Sequence, residues 1–322
     1  MPDDTSPIES RCPVCRGEGR YAFTGTDRLH DLPGEFRYAE CRECGAVYQT
    51  PTPGPEQIAS FYPEEYAPYR PGKAKRRNPI ERAVLRSVYG YSHLDSGLPG
   101  WFARALGSVA YRDAVPYVRD GQLLDIGCGG CKYLLAMQQL GWQPRGVEFN
   151  AFAVQTCHEA GLDVFQVELR DAAFADASFD LVTARHVIEH IPDPVAFVGE
   201  IYRIVKPGGM MVLKTPNSAA LGRDWFGTDW YANDVPRHLL LFAPDNLTLL
   251  AERAGFETAV VRTFSTPKIV LNSWDYRQHN PGESSKKNKL RRAVARLYVM
   301  AAAVSGRGDE VFAIFRKPAH VG

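Results

Sequence analysis

A carboxylate and three glycines follow an apolar run in the stretch LLDIGCGGC, at 123–131. Asp125 comes first, and Gly127, Gly129 and Gly130 come after it. Glycine lets a backbone turn tightly and approach a ligand that a side chain would obstruct. The dinucleotide fingerprint begins with glycine and serves a pyrophosphate, whereas an anionic Asp125 suits a ligand that carries positive charge. The stretch therefore predicts a turn that binds a small cationic ligand.

A second carboxylate follows at the distance that nucleotide sites use. Glu148 lies in GVEFN, at the end of the next predicted strand and about 20 residues after the glycines. A carboxylate at that place can accept hydrogen bonds from both hydroxyls of a ribose. The two stretches together indicate a ligand with a nucleoside part. The alternatives are an ordinary tight turn for the glycines and a solvated surface carboxylate for Glu148.

Four of the seven cysteines form two Cys-x-x-Cys pairs, Cys12 with Cys15 and Cys41 with Cys44. Paired thiolates at this spacing are typical of a tetrahedral zinc site with four sulfur ligands. Such a site is closed, so the metal is expected to fold the segment rather than to react. A redox pair lacks the strand and helix context that it needs, and a nucleic-acid-binding zinc ribbon stays open as an alternative.

Three histidines are candidates for acid–base chemistry. His186 and His190 follow the apolar run FDLVTA, with Glu189 beside His190, and His238 lies in DVPRHLLLF. Histidine is the usual general base near neutral pH. We expect His238 or His190 to act as the base, with His186 as a third candidate. The alternative for Glu189 and His190 is a structural pair that holds its loop by hydrogen bonds.

The loop LGRDWFGTDWYANDVPRH, at 221–238, precedes His238 and is rich in aromatic and acidic residues. Aromatic rings can stack on an acceptor molecule, and carboxylates can bind its hydroxyls. The candidates are Trp225, Phe226, Trp230 and Tyr231 for stacking, and Asp224, Asp229 and Asp234 for hydroxyls. The alternative is a hydrophobic lid that packs on the body of the protein.

These residues need a sheet that presents loops at one edge. From Gln122 onwards short apolar runs alternate with amphipathic helical stretches, which predicts an α/β fold with a Rossmann-like, doubly wound sheet of seven strands. The predicted strands are LLDIG, PRGVEF, DVFQV, FDLVTA, GGMMVLKT, FETAVVRTF and EVFAIFRK, and the predicted helices are KYLLAMQQLG, AFAVQTCHEAG, DPVAFVGEIYRIVKPG and APDNLTLLAERAGF.

Three domains are predicted along the chain. Residues 1–70 form the cysteine segment, where a proline-rich exit leaves room for little regular structure. Residues 71–120 form a helical linker or cover, and residues 121–318 form the α/β domain, with a helical insertion at about 266–308.

The order of several motifs resembles the class I S-adenosylmethionine-dependent methyltransferases. These motifs are LLDIGCGGC, GVEFN, FADASFDLVTARHVIEHIPDP, RIVKPGGMMVLKTPN and RHLLLFAPDNLTLLAERAGF. The family's first motif has a third glycine, and this position holds Cys131. The resemblance implies that Asp125, Gly127 and Gly129 line the methionine half of the cofactor and that Glu148 holds its ribose. It further implies that Glu168 lies near the adenine amino group, and that Arg185 and His186 face the sulfonium end.

The first segment also resembles the amino-terminal part of bacterial methyltransferases of sugar and secondary-metabolite pathways. In those proteins this part helps to cover the acceptor site. The resemblance implies a zinc-stabilised lid, from which Tyr62, Tyr66 and Tyr69 could reach the acceptor.

Bulk composition narrows the partners. The 38 basic residues are balanced by 37 acidic ones, for a formal net charge of +1, so bulk electrostatics does not favour nucleic acid. Basic stretches at 73–77 and 286–292 keep RNA open as an alternative. No apolar run has the roughly 18 residues of a membrane span, and the polar, acidic N-terminus does not have the pattern of a targeting signal. We therefore expect a cytoplasmic protein.

The expected function is methyl transfer from S-adenosylmethionine to a small molecule or glycan intermediate, as O-methylation in a bacterial biosynthetic pathway. Structural zinc is the expected second cofactor. The alternatives are an RNA methyltransferase that binds RNA through its zinc segment, and a non-catalytic scaffold with the same fold. The sequence leaves the oligomeric state open.

Overall fold

The computed structural model describes residues 8, 10–62, 77–107, 113–278 and 288–319. Its strands are β1 (Gly19–Gly25), β2 (Phe36–Cys41), β3 (Val47–Gln49), β4 (Gln122–Ile126), β5 (Gln143–Val147), β6 (Asp163–Phe165), β7 (Phe179–Arg185), β8 (Val205–Pro216), β9 (Leu240–Leu241), β10 (Glu257–Phe264) and β11 (Glu310–Arg316). Its helices are α1 (Pro55–Ser60), α2 (Pro79–Val88), α3 (Gly100–Gly107), α4 (Lys132–Gln138), α5 (Ala151–Glu159), α6 (Pro194–Ile204), α7 (Leu221–Phe226), α8 (Pro244–Arg253), α9 (Pro267–Arg277) and α10 (Lys289–Ser305).

Seven strands form the larger sheet in the order β10-β11-β8-β7-β4-β5-β6. Strand β4 pairs in parallel with both β5 and β7, and β5 pairs in parallel with β6. The chain leaves β4 towards β5 and β6 and then returns to the other side of β4 as β7. Strand order therefore reverses between β4 and β7, and ligands of open α/β sheets bind at such a point. The predicted doubly wound sheet of seven strands is confirmed.

The central strands are buried because their side chains are apolar on both faces. Leu123 and Leu124 of β4 and Leu181 and Val182 of β7 are completely buried. Near-continuous apolar runs are expected where helices cover both faces of a parallel sheet. Strand β10, by contrast, lies at the edge of the sheet, and its side chains are largely exposed. Burial thus follows the position of each strand in the sheet.

A second sheet has four strands in the order β1-β2-β3-β9. Its first three strands come from the cysteine segment, for which the sequence analysis predicted no strand. The pairs are antiparallel, with Ala39 of β2 opposite Tyr48 of β3, and Tyr48 opposite Leu240 of β9. Tyr38, Val47, Val235 and Leu241 form the small core on this sheet.

Two further outcomes concern helices. The predicted helix at 193–208 ends at Ile204, and Lys206, Pro207 and Gly208 belong to β8.

Helices α9 and α10 lie within the predicted insertion, and the boundaries at 70 and 120 stay predictions. No helix among the described residues has both the length and the hydropathy that a bilayer span requires.

Residue contacts divide the chain into two compact units. The first unit consists of Met1–Glu64, His186–Gly199 and Leu213–Ala313. The second unit consists of Glu65–Arg185, Glu200–Val212 and Ile314–Gly322. The predicted zinc ligands and the three candidate histidines belong to the first unit. The glycine turn, Glu148, Glu168 and Arg185 belong to the second.

Candidate active site

The glycine turn after β4 is held in left-handed backbone conformations. Gly127 has φ +64° and Gly129 has φ +51°, values that glycine adopts at little cost. The Gly127 N–H donates to the carbonyl of Val147 at 2.9 Å, which ties the turn to β5. Cys131, at the family's third glycine position, also has a positive φ, +58°, just before α4 begins. The position thus has the geometry that favours glycine.

Glu148 fixes the turn from the next strand. One carboxylate oxygen accepts from the Gly129 N–H at 2.9 Å. The other accepts from the N–H groups of Phe149 at 3.0 Å and Asn150 at 3.1 Å. The side chain is 4% exposed. A carboxylate has about four acceptor sites, so one remains for a ligand hydroxyl even with these three bonds in place.

Asp125 lies beside the turn and is buried, with 3% of its surface exposed. It is the register partner of Thr183 on β7, whose hydroxyl donates to its carboxylate at 2.5 Å. Burial raises the pKa of Asp125 to about 7, although the Thr183 hydrogen bond opposes this. A cation placed beside this carboxylate would stabilise its ionised form.

Two other predicted cofactor residues have different surroundings. Arg185, the last residue of β7, places its guanidinium 4.6 Å from the ring centre of Tyr133 and 3.5 Å from the Asp113 carboxylate. Glu168 follows β6 and is exposed, and its backbone carbonyl accepts from the N–H groups of Asp171 and Ala172. Their assignments to the sulfonium end and the adenine stay predictions.

His186, the first residue after β7, is held by two carboxylates. Its Nδ1 lies 3.2 Å from Glu189 and its Nε2 lies 3.0 Å from Glu310. Burial disfavours the charged ring, but these hydrogen bonds outweigh that effect and raise the pKa of His186 to about 9. An imidazolium that donates both protons has no lone pair with which to accept another.

His190 and His238 have a different arrangement. The Nδ1 of His190 lies 2.8 Å from the carbonyl oxygen of Arg237, and the Nδ1 of His238 lies 2.9 Å from that of Ala232. A carbonyl can only accept, so each Nδ1 carries a hydrogen, and the lone pair of either ring in its neutral form lies on Nε2. Burial and the neighbouring His238 lower the pKa of His190 to about 4, so this ring is neutral at pH 7.

Glu189 lies at the centre of this histidine cluster and is completely buried. Its carboxylate accepts from Thr215 at 3.0 Å and contacts His186. Burial alone would raise its pKa, but the bond to His186 and the neighbouring histidines lower it to about 2. One donor atom each from Glu189, His190 and His238 lie within 4.8 Å of one another. Two imidazoles and a carboxylate at this separation have the chemistry to hold a divalent cation.

The loop that carries His238 is anchored by an ion cluster that the sequence did not predict. Arg237 is buried and binds both carboxylate oxygens of Asp27, at 2.8 and 2.9 Å. It also binds Asp234 at 2.7 Å. The Tyr38 hydroxyl donates to the carbonyl of His238 itself at 2.9 Å. Residues of the first 40 positions therefore fix the backbone on either side of the His238 ring.

Tyr62 is the described member of the three predicted lid tyrosines. Its hydroxyl lies 2.8 Å from the Nδ1 of His190. Tyr66 and Tyr69 lie outside the described residues.

The aromatic loop at 221–238 packs as a lid rather than as an open wall. Trp230 is completely buried and donates its indole N–H to Asp309 at 3.0 Å, and Phe226 lies in the same core. Each aspartate that was expected to bind a hydroxyl pairs with an arginine: Asp224 with Arg307, Asp229 with Arg28, and Asp234 with Arg237. These three side chains neutralise nearby cations, and their assignment to hydroxyls of the acceptor stays a prediction.

The four paired cysteines come together. Their sulfur atoms lie within 4.8 Å of one another, with 3.6 Å between those of Cys12 and Cys44 and 3.3 Å between those of Cys15 and Cys41. A tetrahedral zinc site with bonds of about 2.3 Å separates its sulfurs by roughly 3.8 Å, close to these values. The two turns match as well, since Arg16 and Gly45 each donate from N–H to the carbonyl four residues before. The set of donors fits zinc.

Comparisons with known proteins address the family. A family model described as a methyltransferase domain matches residues 103–261. The ubiquinone biosynthesis O-methyltransferase of Methylococcus capsulatus is 30% identical over 171 residues, which cover 49% of this chain and 68% of that protein. The chain belongs to the S-adenosylmethionine-dependent methyltransferases.

Two further similar proteins are a second curated relative and a solved structure. The protein of the same name from Ralstonia nicotianae is 32% identical over 154 residues, or 44% of this chain and 65% of that protein. The chain thus spans about two thirds of the length of these curated relatives. A solved S-adenosylmethionine-dependent methyltransferase from Archaeoglobus fulgidus is similar at a TM-score of 0.46 and 20% identity, covering 67% of this chain and 92% of that chain.

The methyltransferase motifs identify only some of the residues in and around the candidate site. Asp125, Gly127, Gly129 and Glu148 lie together around one turn. An exposed aromatic ring, Phe149, follows Glu148 directly and is 58% exposed. Phe149 was not predicted as a site residue, although its place directly after the acidic residue is a signal in the sequence. The role of Asp27 in anchoring the His238 loop had no signal in the sequence around it.

Proposed function

We propose that this methyltransferase transfers a methyl group to a hydroxyl oxygen of a small molecule or glycan intermediate in a bacterial biosynthetic pathway. The observation that carries the proposal is the pair His190 and His238, in which each Nδ1 contacts a backbone carbonyl, so that Nε2 is the nitrogen that can accept a proton. Two curated relatives are named as O-methyltransferases, which supports oxygen as the acceptor atom. A cytoplasmic location is part of the same proposal.

The turn after β4 is proposed to hold the cofactor. Backbone at positive φ without side chains at Gly127 and Gly129 leaves room for close approach, and buried Asp125 gains from a neighbouring cation. Glu148 is assigned to the ribose, Glu168 to the adenine amino group and Arg185 to the methionine end. S-adenosylmethionine supplies an electrophilic methyl group on a positively charged sulfur. Alignment of the acceptor atom with that methyl is the main task of the protein.

His238 is proposed as the base that takes the hydroxyl proton. Its Nε2 lies 3.9 Å from Glu189 and 3.8 Å from Asp234, so two carboxylates would stabilise the imidazolium that forms. His190 stacks edge-on against it, with ring centres 4.8 Å apart, and is the second candidate. His186 already donates both of its protons, and we assign it the task of holding Glu189 in place.

The acceptor is proposed to occupy a cavity of about 820 Å³ in the first unit. This volume lies within the range of about 300 to 1,000 Å³ that small-molecule sites span. Phe36 and Phe61 line it, and Gln49 presents a buried Oε1 without a hydrogen-bond partner among the described residues. Phe61 directly precedes Tyr62, whose hydroxyl contacts His190. A ligand with both ring and hydroxyl groups matches this lining.

The four cysteines are proposed to bind one structural zinc ion. The donors are four thiolates, and no position is left for a substrate, so the metal would fold the segment rather than react. The segment supplies Asp27, Tyr38 and Tyr62 to the surroundings of the histidines. Zinc would thus support the acceptor side of the site.

Transfer of a labelled methyl group tests the proposal. The protein is incubated with methyl-tritiated S-adenosylmethionine and, separately, with a bacterial small-molecule extract or with purified RNA. Label that enters small molecules as an alkali-stable ether supports O-methylation. Label that enters RNA would replace the proposal with the RNA alternative, and failure to bind the cofactor at millimolar concentration would replace it with the scaffold.

His238→Ala tests the base. General base catalysis contributes about 10² to 10⁴-fold, so kcat should fall within that range while the affinity for S-adenosylmethionine stays within about twofold. His186→Gln serves as the comparison, because glutamine can still donate a hydrogen bond at a position where the histidine donates hydrogen bonds to carboxylates. Full activity of His238→Ala would remove this residue from the mechanism.

A further inference from the structure

Helix α10 has two apolar faces, of which the body of the protein covers one. Ala295, Tyr298 and Ala302 belong to a buried core cluster, and the Tyr298 hydroxyl donates to Asp309 at 2.8 Å. These contacts fix the rotation of the helix. Its ends are fixed as well, since the Asn288 side chain accepts from the first N–H groups and Gly306 closes the helix at φ +67°.

The opposite face is apolar and exposed. Leu290, Leu297 and Val304 recur every seven residues, and Met300 lies between the last two on the same side. Their exposed fractions are 73%, 64%, 91% and 65% for Leu290, Leu297, Val304 and Met300 respectively. Surface helices normally carry polar residues on the face turned away from the core. A stripe of four large apolar side chains over four helical turns indicates an occupant.

The charge of α10 identifies the chemistry of that occupant. The helix contains Lys289, Arg291, Arg292 and Arg296 and no acidic residue. Arg291 binds Gln278, on the body side. None of the ion pairs among the described residues includes the other three cations. By helical geometry, Lys289, Arg292 and Arg296 flank the apolar stripe on one side. An apolar stripe beside unneutralised cations is typical of helices that lie in the interface of an anionic bilayer.

We propose that the exposed face of α10, defined by Leu290, Leu297, Met300 and Val304, docks on an anionic lipid surface. The apolar side chains would enter the boundary between headgroups and acyl chains, and Arg292 and Arg296 would contact lipid phosphates. A second copy of the chain is a poorer occupant, because two such helices would bring together two sets of cations without an anion between them. The proposal does not depend on the proposed function.

Vesicle sedimentation with the full chain tests the docking. The intact protein should sediment with vesicles of phosphatidylcholine and phosphatidylglycerol and much less with phosphatidylcholine alone, and added salt should weaken the binding. Leu297→Ser combined with Met300→Ser should weaken binding more than about tenfold. Arg292→Glu combined with Arg296→Glu should also weaken it more than about tenfold, since each basic residue contributes about fivefold.

Val195→Ser is the matched control, because Val195 is 46% exposed and lies on a different helix. It should bind anionic vesicles as the intact protein does. All variants should keep their circular dichroism and their affinity for S-adenosylmethionine. The proposal is overturned if the intact protein fails to bind anionic vesicles, or if the serine pair binds them normally. If sedimentation velocity shows that the intact protein is a dimer and that the serine pair is a monomer, the stripe would be assigned to a second copy of the chain instead.

Discussion

The glycine turn and the histidine cluster are assembled in different ways. The turn uses mainly backbone groups and a few side chains between Asp125 and Thr183, ordered by adjacent strands of one sheet. The histidine cluster uses side chains from Tyr62, Glu189, His190 and His238, and Asp27 anchors it from still farther away. A site of the first kind is written in short motifs. A site of the second kind depends on contacts between residues that are distant in sequence. A substitution that disrupts those contacts should therefore affect the histidine cluster and leave the turn intact.

Loss of the proposed zinc should separate the two regions most strongly. Structural zinc contributes about 10 to 16 kcal/mol of apparent binding free energy, so Cys41→Ser or chelation should unfold β1 to β3. Hydrogen exchange should show rapid exchange in these strands, and turnover should be lost while cofactor affinity stays within about twofold. Cys157→Ala, outside the cluster, should keep one zinc per chain by elemental analysis. Intact protection of β1 to β3 without metal would contradict a structural role for zinc.

Removal of the buried ion pair between Arg237 and Asp27 should destabilise the region around the histidine cluster and not the glycine turn. Arg237 and Asp27 have no exposed side-chain surface, and leaving a buried charge without its partner costs about 3 to 5 kcal/mol. Asp27→Asn should lower the free energy of unfolding by an amount near the lower end, because Asp234 still binds Arg237. Denaturant unfolding measures this. Arg28→Gln breaks the neighbouring but partly exposed pair with Asp229 and should cost less than about 1 kcal/mol.

A pair of glutamate substitutions should sharpen the description of the turn. Glu148→Gln replaces a carboxylate that accepts from three N–H groups, and charged hydrogen bonds contribute enough to expect about tenfold to hundredfold weaker cofactor binding. Glu168→Gln changes an exposed side chain and should weaken binding less than about threefold. Calorimetry with S-adenosylmethionine distinguishes them. Equal losses would show that the exposed Glu168 matters as much as the buried residue.

The pH dependence of cofactor binding should show the smallest effect. The pKa of Asp125, raised to about 7, lies above the unfolded value of about 3.9. The neutral carboxyl therefore stabilises the free protein below the unfolded pKa, and this contribution is lost as the pH rises through about 7. A cationic ligand prefers the ionised carboxylate, so affinity should increase through the same range. Asp125→Asn should flatten the profile, and an unchanged slope would assign the titration to another group.

The sequence predicted the larger sheet because its central strands are continuous apolar runs. LLDIG and FDLVTA could be placed on buried strands, and the glycines after the first could be placed at the turn. Strands β1 and β2, GRYAFTG and FRYAEC, were overlooked because charged residues and glycine interrupt their alternation. Their sheet is completed by β3 and by two residues of β9, which no local pattern marks.

The candidate site, like the sheets, could be predicted where a local pattern marks it and not where it depends on residues that are distant in sequence. The three histidines could be named from their positions after strands, but not their proton positions. Those depend on carbonyls of Arg237 and Ala232 and on two carboxylates around His186. The ion pairs of Asp224 and Asp229 could not be predicted because their partners, Arg307 and Arg28, are distant along the chain.

The pairing of β3 with β9 has a consequence for the order of folding. Tyr48 and Leu240 are neighbours in space but are separated by most of the chain. During synthesis on the ribosome the cysteine segment emerges before β9, so its sheet lacks its last strand until Leu240 and Leu241 have been made. The cysteine segment should therefore reach its final structure only after β9 has been made, and its unpaired strand β3 would need protection from aggregation in the meantime.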